Sequence, residues 1–177
     1  MGKSCLNKLS GNITVDCTIP QVGVKNIYIM HAEDVTFGPS ADNLAILGAT
    51  FSPGSSVIRV EGYKQNIQVT GAVRTMDAST KMDINVIFKM GKSASGSTAR
   101  ARSLLTGRFY VLVELADGTD IIVGYTTPLE CSGMDWDSNA NANMITVTLS
   151  APEGAGGNYF MGVEDAAANQ IKSKVGV

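Results

Sequence analysis

The chain of 177 residues is 44% hydrophobic and only 17% charged, too apolar for a disordered chain and long enough for one domain with its own core. A formal charge of −2 and a pI near 5.3 exclude an overall basic footprint for nucleic acid or an anionic membrane. With 16 Val, 13 Ile and 14 Thr against 10 Leu, and 19 Gly, the composition favours strands and turns over a helical bundle.

Residues 12–19 alternate strictly, with Ile13, Val15, Cys17 and Ile19 on one side and Asn12, Thr14, Asp16 and Thr18 on the other. This predicts a half-buried strand, ended by Pro20. Val24 to Met30 reads as a second strand and His31 to Asp34 as a short helical turn. Phe37 to Ser56, punctuated by Pro39, Gly48, Pro53 and Gly54, reads as a loop with at most a weak strand at Leu44 to Leu47. Val57 to Gly62 and Gln65 to Gly71 are the next strands, joined tightly through Tyr63-Lys64. Met82, Ile84, Val86, Phe88 and Met90 then line one face of a strand whose other face carries Asp83, Asn85 and Lys89. Ala99 to Leu105 predicts a short helix inside a long Ser-, Ala- and Gly-containing connection.

Arg108 to Ala116 and Thr119 to Thr126 are apolar on both faces and are joined by Asp117-Gly118. That pattern predicts a hairpin with a two-residue turn, central in a packed sheet. After a polar loop from Ser132 to Asn143, residues Ile145, Val147 and Leu149 alternate with Thr146 and Thr148. Glu164 to Lys174 begins with acids and ends with lysines, which complements a helix dipole and predicts a terminal helix. The expected fold is mainly β, one domain over residues 1–177. It carries an extended arm at 89–108 and a C-terminal segment at 159–177 that includes the helix.

Chemistry is hard to place on this chain. Its one histidine, His31, would have to serve any nucleophilic triad, and no Gly-x-Ser-x-Gly elbow is present. Cys5, Cys17 and Cys131 have no zinc-ligand spacing; an odd, sparse set reads as reduced thiols, with Cys17 a small buried hydrophobe. Gly91-Lys92-Ser93 lacks the earlier glycine of a phosphate loop, where Val86 stands. Asp135, Asp137, Asn139, Asn141 and Asn143 resemble a calcium loop in spacing, but Ala140 and Thr146 occupy its glycine and closing-acid positions. The lysines of the first ten residues precede no apolar run, and no window approaches a membrane span, so neither a signal peptide nor a transmembrane segment is expected. No catalytic residue, cofactor or metal ligand is predicted.

Charge is distributed unevenly. Lys89, Lys92, Arg100, Arg102 and Arg108 fall in one acid-free stretch, leaving nine bases and sixteen acids elsewhere. A basic arm on an acidic body fits docking between identical copies. Nucleic-acid binding fits it less well, because this basic stretch holds no aromatic residue before Phe109 for base stacking.

The order of elements resembles the bacteriophage tail tube proteins. The likeness runs over roughly Leu6 to Asn158. It rests on the first alternating strand, the Ala32-Glu33-Asp34-Val35 corner, the basic arm, the central hairpin and the close of the last strand in Leu149-Ser150-Ala151-Pro152-Glu153-Gly154. Tyr125-Thr126-Thr127-Pro128-Leu129-Glu130 and Thr146 to Pro152 are most similar to that family. The resemblance implies a β-sandwich or barrel-like subunit flanked by a helix, six-membered rings stacked into a hollow tube, and DNA ejected through the tube. It also implies an inter-strand loop that reaches a neighbour, the place where the basic arm fits, and location in the virion tail after assembly in the bacterial host cytoplasm. Its partners would be further copies and other tail proteins, with DNA a non-specific cargo and no membrane involved. The polar strand faces supply the candidate lumen residues: Asn12, Thr14 and Asp16; Asp83 and Asn85; Thr146 and Thr148. A head–tail connector, a capsid decoration protein or an injection-system tube would share these features. A carbohydrate-binding sandwich would need exposed aromatics, for which Trp136 is the one tryptophan.

Overall fold

The computed structural model describes residues 23–62, 66–76, 79–91, 94–136, 144–152 and 160–176. The strand expected at 12–19 and the Tyr63-Lys64 connection lie outside them. The described elements are β1 (Val24–His31), β2 (Val35–Pro39), β3 (Ala45–Phe51), β4 (Ile58–Glu61), β5 (Ile67–Met76), β6 (Ser79–Gly91), α1 (Ala94–Thr106), β7 (Arg108–Leu115), β8 (Asp120–Val123), β9 (Leu129–Trp136), β10 (Met144–Ser150), β11 (Met161–Val163) and α2 (Asp165–Lys172).

The fold is mainly β. The 11 strands among the described residues are hydrogen-bonded into one sheet, which over those residues does not close into a barrel. The sheet folds over into two layers at one corner, where Arg108 and Phe109 of β7 pair with Glu130 and Leu129 of β9. One layer runs β4-β1-β7-β8-β11-β3-β2, the other β9-β10-β6-β5. Between them lies a core of Ile27, Ile29, Val111, Val113 and Val123 from the first layer against Ile67, Ile84, Val86, Phe88, Val147 and Leu149 from the second. The far face of the larger layer is also buried: Tyr28, Met30, Leu112 and Ile122 pack with Ala167 and Ile171 of α2. Alternate residues of β1, β7 and β8 thus enter two different cores, which is why those strands are apolar on both faces.

The central hairpin forms as expected, with a different turn. Leu115 N–H donates to Thr119 O and Gly118 N–H to Leu115 O, and Gly118 has φ +90° while Asp117 does not have positive φ. These bonds define a three-residue loop closed by a left-handed glycine. Asp117 Oδ1 accepts from Thr119 N–H at 2.9 Å, so the aspartate supports the turn through its side chain. A Cβ at Gly118 would meet nothing within 4 Å. Gly118→Ala is therefore expected to cost about 1–2 kcal/mol through backbone strain alone, read as a lowered midpoint in thermal or urea unfolding.

Three expectations are corrected. Phe37 to Ser56 is not a loop: β2 and β3 form an antiparallel hairpin, with a register shift at Gly38/Pro39 that accommodates the proline on an edge strand. The stretch from Ser132 opens not as a polar loop but as the later half of β9, bulged opposite Thr148/Leu149. The 89–108 stretch is not an extended arm. Lys89 belongs to β6, Arg108 begins β7, and the 13-residue helix α1 lies between them. Ala101 and Leu104 are buried, and Leu104 joins the inter-sheet core, so apolar packing holds α1 against the body. The terminal helix forms as predicted, with Asp165 in its first turn, Lys172 in its last and Ala167, Ala168 and Ile171 buried.

Candidate assembly surfaces

The smaller layer presents one polar outer face. On β6 the residues Met82, Ile84, Val86 and Phe88 point inward, so Asp83, Asn85, Ile87 and Lys89 point out. Asp83 stands opposite Ala72 and Asn85 opposite Thr70 on β5. Lys89 stands opposite Thr146 and Ile87 opposite Thr148 on β10. The structure therefore gathers four predicted lumen residues, Asp83, Asn85, Thr146 and Thr148, onto one strand-ribbed surface. Thr146 differs from the others in that its Oγ1 is shielded from solvent. Asn12, Thr14 and Asp16 lie outside the described residues.

The basic set is dispersed instead of gathered. Lys89 sits on the outer sheet face, and Lys92 is outside the described residues. Arg100 and Arg102 are exposed on α1; at 100° per residue their Cβ directions differ by about 160°, so they project from opposite flanks of the helix. Arg108 pairs with Glu130 at 3.0 Å, both partly exposed, which clips the corner between the layers. Spacing in the sequence suggested one positive patch; helical geometry splits it.

The sheet rims carry exposed apolar side chains. Leu44 and Leu47 of the β2–β3 hairpin are 72% and 52% exposed, and Leu105, Trp136, Phe160 and Val73 are more than half exposed. Among the described residues β2, β4 and β5 each pair with a single strand and so are the edge strands. His31 is a surface residue whose ring lies 4.9 Å from that of Phe109.

A polar cluster at the end of α2 went unpredicted. Glu114 of β7 and Asp120 of β8 are each 8% exposed. Glu114 Oε1 accepts from Lys25 Nζ at 3.0 Å, and its Oε2 accepts from Asn26 Nδ2 at 2.7 Å and Tyr28 Oη–H at 3.1 Å. Lys172 Nζ donates to Asp120 Oδ2 at 2.9 Å and stands 3.5 Å from Glu114. Burial pushes the Glu114 carboxyl up, but the bonds from Asn26, Lys25 and Tyr28 and the Lys172 charge outweigh it and bring the pKa to about 2. Burial lowers Lys172, and the Asp120 and Glu114 carboxylates raise it overall. Both groups are thus locked in their charged forms far from neutral pH. This is an ion-pair lock that ties β1, β7, β8 and α2 together, and it is unsuited to proton transfer near neutrality. The signal for it was an acid inside each of two strands otherwise apolar on both faces.

Among the described residues no helix is long and apolar enough to cross a membrane, and no three His, Cys, Asp or Glu side chains group as metal ligands. Cys131 is a partly buried free thiol whose pKa burial raises. No protein-family model, curated protein or solved structure matches the chain.

Proposed function

We propose that the chain is a self-assembling structural subunit of a phage tail tube, forming stacked hexameric rings around a DNA conduit in the virion. The observation that carries this reading is a β-sandwich whose outer strands each pair with one strand among the described residues and whose surface exposes Leu44, Leu47, Leu105 and Trp136. A lone subunit leaves such edges as templates for stray pairing, whereas identical neighbours arranged head to tail cover them and close a ring. The gathered face of Asp83, Asn85 and Thr148 supports the same reading. Phosphate affinity comes mainly from Lys and Arg, so a mostly uncharged or acidic lining lets a polyanion pass without sticking. Lys89 is the exception on that face. The partners are further copies and other tail proteins.

Electron microscopy of the purified chain at rising concentration tests the proposal: rings or tubes are expected, and a monomer at every concentration overturns it. Arg100→Glu with Arg102→Glu tests whether α1 takes part. Both side chains are exposed, so unfolding should shift by no more than about 0.5 kcal/mol. The concentration needed for assembly should rise about tenfold or more, as expected for reversed charges facing a complementary surface. Unchanged assembly removes α1 from the interface.

A further inference from the structure

Charge is segregated along this chain more sharply than its net value shows. No Lys or Arg stands between His31 and Arg59, or between Arg108 and Lys172. The strands β2, β3 and β11, and α2 as far as Ile171, are therefore free of bases. The opposite holds around α1, where no acid stands between Asp83 and Glu114. The base-free elements meet at one place. β11 runs parallel to β3, with Gly162 opposite Ala45 and Val163 opposite Ile46, and Glu164 N–H donates to Ile46 O at 3.0 Å. This brings the exposed acids Glu164 and Asp165 beside Leu47, the extra residue at the register shift of the β2–β3 hairpin. Asp42 joins them from the hairpin tip, where its Oδ1 accepts from Leu44 N–H at 3.3 Å. Two leucines, 72% and 52% exposed, are thus bordered by three acids and by no base of the same elements.

The complementary pattern is on α1. Its buried residues Ala101 and Leu104 face the body. Arg102 and Leu105 are both exposed and, three residues apart, lie about 60° from each other around the helix, on one flank. Arg100 projects from the other flank. A leucine 55% exposed beside a guanidinium, with no carboxylate on the same element, matches two exposed leucines beside carboxylates with no base. Joining the two takes apolar surface out of water and sets opposite charges along its border, so that apolar contact supplies affinity and charge supplies register. We propose that the Arg102–Leu105 flank of α1 docks on the Leu44–Leu47 tip of a second copy of this chain, with Arg102 against Glu164 and Asp165. The two patches belong to different elements, so a copy that has docked through one still offers the other. Such a contact passes from copy to copy and builds a ring or a filament. The inference rests on the self-assembly reading and gives it a named contact.

Charge swaps on the full chain test it, with assembly followed by sedimentation over a range of concentrations. Arg102→Glu and Glu164→Arg are each expected to raise the concentration needed for assembly by about tenfold or more. Arg100→Glu, on the other flank, should change it by less than about twofold. Arg102→Glu combined with Glu164→Arg re-forms an opposite pair and should return it to within about threefold of wild type. Disulfide trapping reads the same contact with every charge in place. In a Cys5→Ser, Cys17→Ser, Cys131→Ser background, Leu47→Cys and a mass-tagged Leu105→Cys are mixed at assembling concentration and mildly oxidised. Disulfides between unlike chains are expected to predominate over those between like chains. The two cysteines placed together in one chain should not close on each other at high dilution. Where wild type assembles, failure of the double swap to restore assembly, an Arg100→Glu effect as large as that of Arg102→Glu, absence of the mixed disulfide, or closure within one chain each overturns this contact and leaves the tube proposal standing. Wild type that stays monomeric at every concentration overturns both.

Discussion

Glu114→Gln is expected to lower the unfolding free energy by about 3 kcal/mol at neutral pH and to abolish one step of the acid transition. Three hydrogen bonds and an ion pair converge on the carboxylate: Lys25 donates to Oε1, Asn26 and Tyr28 donate to Oε2, and the Lys172 ammonium stands 3.5 Å from Oε1. Glutamine keeps the shape but has one acceptor oxygen, so its NH₂ would face donors, and two ammonium groups would lose their counter-charge. The magnitude follows from linkage. A carboxyl held at about 2 against an ordinary 4.5 contributes about 3 kcal/mol. Because the folded pKa is depressed, that stability is fully present above pH 4.5 and drains away as pH falls toward about 2. Wild type should therefore lose stability across that window, and the variant should be flat there apart from contributions of other carboxylates. Lys172 has the opposite sign: its raised pKa gives stability present below 10.5 and lost only as pH climbs past the folded value. Lys172→Met should be at least as damaging, since it strands Asp120, whose Oδ1 is already buried with no partner among the described residues. Urea unfolding from pH 2 to 7 on the two variants and wild type decides the matter; equal slopes for wild type and Glu114→Gln would mean the cluster is not what couples stability to acid.

How much of this architecture was legible in the sequence depended on whether a strand has one regular face. β10 alternates without interruption and β6 does so apart from Ile87, so their inward rows, Met82 to Phe88 and Ile145 to Leu149, were readable from period alone. β7 and β8 were readable for the opposite reason: a run that is apolar on both sides can only lie between two covers. β2 and β3 were hidden because Pro39 and Gly48 look like loop punctuation, yet both are tolerated on an outer hairpin where one register shift absorbs the proline. β9 was hidden by its bulge. Ser132 is the extra residue between Gly133, opposite Thr148, and Cys131, opposite Leu149, so the alternation changes phase in mid-strand and no fixed period describes it. β11, Met161–Val163, is too short to show any period.

The candidate surfaces divide in the same way. Asp83, Asn85, Thr146 and Thr148 share a face because side-chain direction in strands follows sequence parity, which needs no tertiary knowledge beyond which strands pair. The basic residues did not stay together because proximity in sequence becomes angular separation once the segment is a helix, as Arg100 and Arg102 show. Glu114 and Asp120 are a third case. Nothing local distinguishes an acid that caps an apolar strand in water from one that meets a lysine arriving from α2, 52 residues after Asp120. The pairing is a product of topology alone.

Gly124→Ala is expected to be markedly more disruptive than Gly118→Ala, although both glycines have φ near +90°. Gly124 follows β8 at the bend where the chain leaves the larger layer for β9 and the smaller one. A Cβ there would stand 3.0 Å from Phe109 O and 3.2 Å from Leu129 Cγ, whereas at Gly118 it would meet open space. Phe109 and Leu129 are the register pair that joins the layers, and both are essentially fully buried. Neither can retreat without opening the corner or the core behind it. Backbone strain of about 1–2 kcal/mol should thus be joined by about 1–3 kcal/mol of overpacking, so the two substitutions differ by the second contribution. Parallel urea melts of the two variants measure that difference directly, since the shared strain cancels. Equal destabilisation would show that the corner yields as easily as an exposed turn, and the tight β7–β9 junction would then not be what holds the two layers face to face.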